Sequence, residues 1–314
     1  MGFDLQALRA AIATYGPVTR VVIAAIRGSS PREVGAAMLV WDQGQSGTIG
    51  GGTLEYEAAA AARRQGPQAR LSTHALGPDL GQCCGGSVTL LSERYDSADL
   101  ANLDPDMIVR PVTTEASQSQ PLSVKRLLAQ LRAQGQRPEP QLLDQWMLEP
   151  VHQPQTDLWI WGAGHVGRAL VDVLAPLPDL AITWVDTALS RFPATIPEGV
   201  TMLPGQDPTV LLRHAPGNAQ HLVLTYSHEL DLALCHGLLL HGFSFAGLIG
   251  SATKWARFRS RLAALGHGPA EIARITCPIG TPALGKHPQM IAVGVAAELL
   301  ARAARQEMKE ERRA

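Results

Sequence analysis

Apolar and polar positions along this chain alternate with two periods, and the periods change in a definite order. Leu5, Leu8 and Ile12 recur at helical spacing behind Asp4, a helix-capping residue, and Gly16-Pro17 stops the helix. Val18 to Ile26 is a run rich in β-branched residues, the pattern of a buried strand. A second strand is predicted over Ala37 to Trp41, an alanine-rich helix over Leu54 to Arg64 ended by Gly66-Pro67, and a third strand over Ser87 to Leu91. Asp106 to Val112 reads as a strand, Thr113 to Gln120 as a polar loop, and Leu122 to Ala133 as an amphipathic helix. Gly135 to Pro140 is a turn or linker, and Pro150 and Pro154 bracket a polar boundary. Beyond it, strands over Asp157–Trp161, Ala181–Val185, His221–Thr225, Ser244–Ile249 and near Ile275 alternate with helical segments, the pattern of a parallel sheet. Pro288 starts a last helix to about Arg305, and the tail from Glu307 is polar and expected to fray.

Composition narrows the class. At 314 residues the chain has room for two domains, each with its own core. A net charge of -1 argues against nucleic acid or an anionic membrane as the main partner. Four cysteines, two of them adjacent, make no disulfide framework and suit a reducing compartment. No basic-then-apolar leader and no bilayer-length apolar run is present, so a cytoplasmic protein is expected.

Three glycine-rich stretches in the first half carry candidate chemistry. Gly81-Gln82-Cys83-Cys84-Gly85-Gly86 places adjacent thiols in a loop; neighbouring residues of a strand point to opposite faces, so both can face one site only in a turn. A thiolate there would attack or bind a soft metal, while the competing reading is a pair of small buried residues. Arg27-Gly28-Ser29-Ser30-Pro31-Arg32 follows a strand end, where Ser30 and Arg32 could hold a phosphate or carboxylate; the alternative is a solvated turn. Gly50-Gly51-Gly52 opens onto a helix, where backbone N–H groups and the dipole favour an anion. Glu55 in the first helical turn would compete with a phosphate, bind a ligand's N–H groups, or complement the dipole. The three loops are expected to converge at one end of a small sheet.

The second half carries Gly162-Ala163-Gly164-His165-Val166-Gly167 between a strand and a helix, with Asp186 ending the next strand about 20 residues on. That context is a strong Rossmann signature. The expected fold class is therefore α/β: a Rossmann-like parallel-sheet domain over 153–306, a smaller N-terminal α/β domain with linker over 1–152, and a polar tail over 307–314. His165 at the helix start is a packing, capping or ligand residue. His228 and Asp231 lie past a strand's carboxyl end, and Lys254, Arg257 and Arg261 share one face of a later helix behind Gly250-Ser251.

Taken together, Gly28-Ser29-Ser30-Pro31-Arg32, Gly47 through Glu55, Gly81 through Gly86, the Gly162–Gly167 string, Gly247-Leu248-Ile249-Gly250-Ser251, Cys277-Pro278-Ile279-Gly280 and Ile291 through Leu300 resemble the XdhC/CoxI family. These are accessory proteins for xanthine dehydrogenase and related molybdenum hydroxylases. The resemblance implies an accessory protein, not an enzyme. Such a protein binds the molybdenum cofactor (molybdopterin), supports its sulfuration with a cysteine desulfurase, and delivers it to the apo-enzyme of xanthine dehydrogenase. It also implies a homodimer. On that reading Cys83 and Cys84 are the contacts to molybdenum, and Arg32, Ser30, Gly50, Gly51, Gly52, Glu55, Gly162, Gly164, His165, Gly167, Asp186, His228 and Lys254 are cofactor-binding candidates. The chain departs from the family at Tyr226-Ser227-His228-Glu229-Leu230-Asp231, where many members have Thr-His-x-x-x-Leu-Asp, and at Ala252, where a basic residue is common. Two other classes compete. One is an NAD-dependent oxidoreductase, with NAD on the glycine loop and Asp186 on the ribose. The other is a metal-binding module, though no two cysteines have chelating spacing.

Overall fold

The computed structural model describes residues 2–77, 85–112 and 119–311. The chain divides into two compact units, Met1–Gln153 and Pro154–Ala314, each described here by itself.

The first unit runs α1 (Leu5–Tyr15), β1 (Val18–Arg27), β2 (Ala37–Trp41), β3 (Gly44–Gly47), α2 (Gly52–Arg63), β4 (Arg70–Ala75), β5 (Ser87–Tyr95), α3 (Ser97–Leu100), β6 (Met107–Pro111), α4 (Leu122–Gln134), β7 (Gln141–Leu143) and β8 (Trp146–Pro150). Asp4 caps α1 by accepting from the Ala7 N–H. β1 pairs antiparallel with both β2 and β5, in a five-stranded sheet of order β3-β2-β1-β5-β4. Because strand side chains alternate, β1 packs on two sides. Val21 and Ile23 pack with Leu54, Ala58, Ala59 and Ala62 of α2, which covers one face. Val22 and Ala24 pack with Leu91, Val112 and Met147, where the three-stranded sheet β6-β8-β7 lies.

The two sheets are joined by charge. Arg20 on β1 donates twice to Glu149 on β8, at 2.7 and 3.0 Å. Arg110 on β6 donates to Glu149 at 2.7 Å and to Glu93 on β5 at 2.6 and 2.5 Å. Glu149 is fully buried. Its burial disfavours the charged form, but the two guanidinium groups outweigh that and hold its carboxyl below the ordinary range.

The second unit runs β9 (Thr156–Trp161), α5 (His165–Leu174), β10 (Leu180–Asp186), β11 (Thr201–Pro204), α6 (Pro208–Leu211), β12 (Gln220–Val223), α7 (His228–His241), β13 (Phe245–Leu248), α8 (Ala252–Ala264), α9 (Pro269–Ile272), β14 (Ile275–Thr276) and α10 (Pro288–Glu311). Every pair in its six-stranded sheet is parallel, in the order β11-β10-β9-β12-β13-β14. Leu158 and Ile160 of β9 face a cluster containing Leu170 of α5 and Val295 of α10. Trp159 and Trp161 face the opposite cluster, with Leu234 of α7 and Phe258 of α8. Helices therefore cover both faces, and the order in which strands are added reverses between β9 and β12, the switch point of a doubly wound sheet. The fold class is α/β, with a Rossmann domain in the second unit and a smaller α/β unit before it. Some boundaries differ from the sequence pattern: β5 runs on to Tyr95 and β12 stops at Val223. α10 continues through Glu311, because polar residues past Arg305 are good helix formers and extend a helix already nucleated by its packed first turns.

Candidate functional site

In the first unit, two of the glycine loops meet at one end of the five-stranded sheet. A Cβ added at Gly28 would lie 3.2 Å from Gly86 Cα, and one at Gly86 would lie 2.2 Å from the Ser29 carbonyl oxygen. Backbone approach that close admits only glycine. A Cβ at Gly50 would lie 2.5 Å from Pro31 Cγ, so the triglycine loop packs on the same Ser30–Arg32 turn. The cysteine pair, Cys83 and Cys84, lies outside the described residues, as does 78–82.

The polar groups of this cluster largely serve one another. Glu55 accepts from the Thr48 hydroxyl at 2.5 Å and from the N–H groups of Ile49 and Gly51 at 3.0 Å. The Gly50 N–H donates to the Thr48 hydroxyl. Burial opposes charge on Glu55, but Thr48, Gly51 and Ile49 outweigh it, so its carboxyl titrates below its usual range. At the expected anion cradle of Gly50, Gly51 and Gly52, the Gly51 N–H is thus held by Glu55 and the Gly50 N–H by the Thr48 hydroxyl. Arg32 is likewise engaged. Its guanidinium grips Glu33 at 3.2 Å on both carboxylate oxygens, which raises its own pKa and lowers that of Glu33. Ser30 donates its hydroxyl to the Arg32 carbonyl, bracing the turn. A phosphate at the Nε–Nη2 edge of Arg32 would therefore compete with Glu33. Glu33 and Thr48 were missed in the sequence; the signal was an acid beside Arg32 and a hydroxyl one turn before the glycines.

In the second unit the glycine loop has its expected form. Gly162 adopts a φ of 127°, and a Cβ there would lie 2.5 Å from the Leu224 carbonyl oxygen. A Cβ at Gly167 would lie 2.0 Å from the Gly162 carbonyl oxygen, while one at Gly164 meets nothing within 4 Å. The helix therefore packs tightly on the strand with one open face at the N-cap, where exposed His165 begins α5. Asp186 is buried and holds that loop. Its Oδ2 accepts from the Ala163 N–H at 2.6 Å, and its Oδ1 accepts from the Thr187 N–H at 2.6 Å. The expected ribose acceptor is thus turned inward as a staple between two loops.

Past β12 and β13, a second cluster forms. Asp231 accepts from the Thr225 N–H and hydroxyl at 2.9 and 2.7 Å, and Lys254 donates to it at 2.5 Å and to the Ile249 carbonyl at 3.0 Å. Lys254 therefore clamps two strand-end loops together, with exposed His228 beside it along a surface groove that Arg257 and Arg261 also line. Cys235 and Cys277 are neutral thiols: burial pushes both upward, Cys277 to about 11. Neither is poised as a nucleophile. Among the described residues no group of three His, Cys, Asp or Glu could hold a metal ion.

Residues 158–299 match the XdhC Rossmann domain, and residues 11–73 match the XdhC and CoxI family. This chain belongs to the XdhC family. Both of the family's segments are present, and the glycine loops of both units fall in or beside them. The fold of this XdhC-family chain resembles a crystal structure described as a xanthine dehydrogenase from Bacillus halodurans, with TM-score 0.68, 20% identity and 95% of each chain covered. At that identity the likeness shows the fold. The chain is also 28% identical over 151 residues to the uncharacterized protein YqeB of Escherichia coli K12, a match that spans 48% of this chain and 28% of that relative. No helix among the described residues is long and apolar enough to cross a membrane.

Proposed function

We propose that this XdhC-family protein is an accessory factor in the maturation of xanthine dehydrogenase. In this reading it binds the molybdenum cofactor as cargo, supports its sulfuration by a cysteine desulfurase, and hands it to the apo-enzyme. The observation that carries the reading is the joint match to both family segments, together with the meeting of the Gly28–Arg32 turn and the Gly85–Gly86 end of the cysteine loop. A soft metal suits thiolate ligands, and Gly86, two residues after Cys84, packs against Ser29. Cytoplasmic residence and a homodimer belong to the same proposal.

NAD-dependent oxidation is the weaker reading. It needs Asp186 for the ribose, and that carboxylate already holds Ala163 and Thr187.

The test is anaerobic equilibrium binding of molybdenum cofactor to the purified protein, with NAD titrated in parallel. Near-stoichiometric cofactor binding with little NAD affinity is expected. Cys83→Ala and Cys84→Ala are expected to impair cofactor retention or dehydrogenase activation while the fold stays intact. Tight NAD binding without cofactor binding overturns the proposal.

A further inference from the structure

A cleft of about 350 Å³ lies between α2 and β4, on the face of the sheet that α2 covers. Its two walls run in opposite directions, since a short connection joins the end of α2 to the start of β4. Tyr56 and Glu57 stand in the first turns of α2, and Arg64 follows its end; Ala60 and Ala61 between them leave the wall low. On the other wall Arg70, Ser72 and His74 alternate onto the same face of β4. The cleft therefore has two unlike ends. Arg64 and Arg70 make one end cationic. Tyr56 and His74 make the other aromatic.

Three further observations mark this cleft as incomplete. Neither the Arg64 nor the Arg70 guanidinium has a hydrogen-bond or ion-pair partner among the described residues. Tyr56 is 78% exposed, the most exposed large apolar side chain described. Glu57 is the cleft's one carboxylate, and its acceptor oxygens likewise have no partner among the described residues. An exposed ring favours a stacked partner, and paired guanidinium groups favour a phosphate. From Tyr56 to Arg64 a helix rises about 12 Å, the span of a planar ring joined by a short chain to a phosphate.

We propose that this cleft binds the phosphate monoester of a planar heterocycle. Tyr56 stacks on the ring, Glu57 accepts from the ring's N–H groups, and Arg64 and Arg70 take the phosphate. The proposal rests on the cargo reading above only for the expectation that the ring is a pterin; the cleft itself is argued from its own residues.

The test uses the intact protein and two pairs of probes, a pterin monophosphate with its dephosphorylated parent, and GMP with guanosine, titrated by fluorescence and calorimetry. The wild type is expected to bind a phosphorylated probe. Tyr56→Ala is expected to weaken both members of the preferred pair about tenfold, with Tyr56→Phe restoring them. Arg64→Ala and Arg70→Ala are each expected to weaken the phosphorylated member about tenfold and leave its parent unchanged. Preference for the pterin pair or the GMP pair identifies the ring, and either supports the site. Failure of the wild type to bind any probe, or binding unaffected by all three variants, overturns it. The cargo proposal fails separately: if the molybdenum cofactor does not bind while these probes do, the cleft stands and the cargo reading falls. If Tyr56→Ala loses the probes yet retains molybdenum cofactor at wild-type affinity, the cleft stands for another phosphorylated heterocycle and the cargo is held elsewhere.

Discussion

His221 ties the stability of the second unit to acid pH. It lies at the start of β12 with no exposed surface. The Trp161 indole N–H donates to its Nδ1 at 3.2 Å, which puts the imidazole proton on Nε2, and that atom is buried without a partner. Protonation would add a charge in a buried site and turn Nδ1 into a donor facing the Trp161 N–H, so burial, with His241 adding to it, lowers the pKa of His221 to about 3. The sign follows. The unfolded chain takes up a proton near the ordinary histidine pKa of about 6.5, and the folded chain does not. Stability is unaffected by this group above that pH and falls as pH drops from there toward 3, by about 1.4 kcal/mol per pH unit at full difference. In His221→Phe the acid slope should flatten by that amount, while the Trp161 N–H left unpaired costs about 1–3 kcal/mol at neutral pH. Denaturant midpoints between pH 4 and 8 check both effects. An unchanged acid slope would show that another group sets it.

Among the elements, β1, β5, β6 and β8 depend on a charge network that joins two sheets. Glu149 carries the negative charge shared by Arg20 and Arg110, with none of it in water. Glu149→Gln leaves two buried guanidinium groups short of a counter-charge, and a loss of about 3–5 kcal/mol is expected because breaking a buried pair is costly. Replacing Arg20 and Glu149 together by Met should be milder than the single change, since it removes both charges. Chemical denaturation of the two variants decides this, and a single variant within 1 kcal/mol of wild type would mean that water or a neighbour compensates.

The same strands show what the sequence made legible. The β-branched run of β1 and the glycine loop before α5 were readable because their signals are local: an apolar run, and glycines at fixed spacing. Arg20, Glu93, Arg110 and Glu149 were not, since a charged residue in a strand reads as a solvent-facing position until its partner is known, and here the partners lie in distant strands. β4 escaped for a related reason. Arg-Leu-Ser-Thr-His-Ala has little apolar content because it is an edge strand with one wall of an open cleft. With β4 unseen, Tyr56, Arg64 and Arg70 could not be recognised as facing one another. Glu55 shows the opposite case: its position was plain in the sequence, and only the structure shows that it accepts from the N–H groups of Ile49 and Gly51.

At the scale of the whole molecule, the buried clusters sort by unit. Two are built wholly from residues 158–299 and four wholly from residues 3–151. Each unit thus carries its own core at a size that commonly folds alone. Chains ending at Gln153 and beginning at Pro154 are expected to unfold cooperatively when expressed separately, each in one transition by circular dichroism. Function should divide along the same line. The converging Gly28 and Gly86 loops, the cysteine pair and the α2–β4 cleft all lie in the first unit, whereas the loop stapled by Asp186 lies in the second. The 1–153 fragment should therefore bind a pterin monophosphate within about threefold of the intact protein, less than 1 kcal/mol, and the 154–314 fragment should not bind it. Binding confined to the second fragment would move the cargo site to the Rossmann unit, with Lys254 and Arg257 as the groups to replace next. Two folded fragments of which neither binds, beside an intact chain that does, would mean that the ligand needs residues from both.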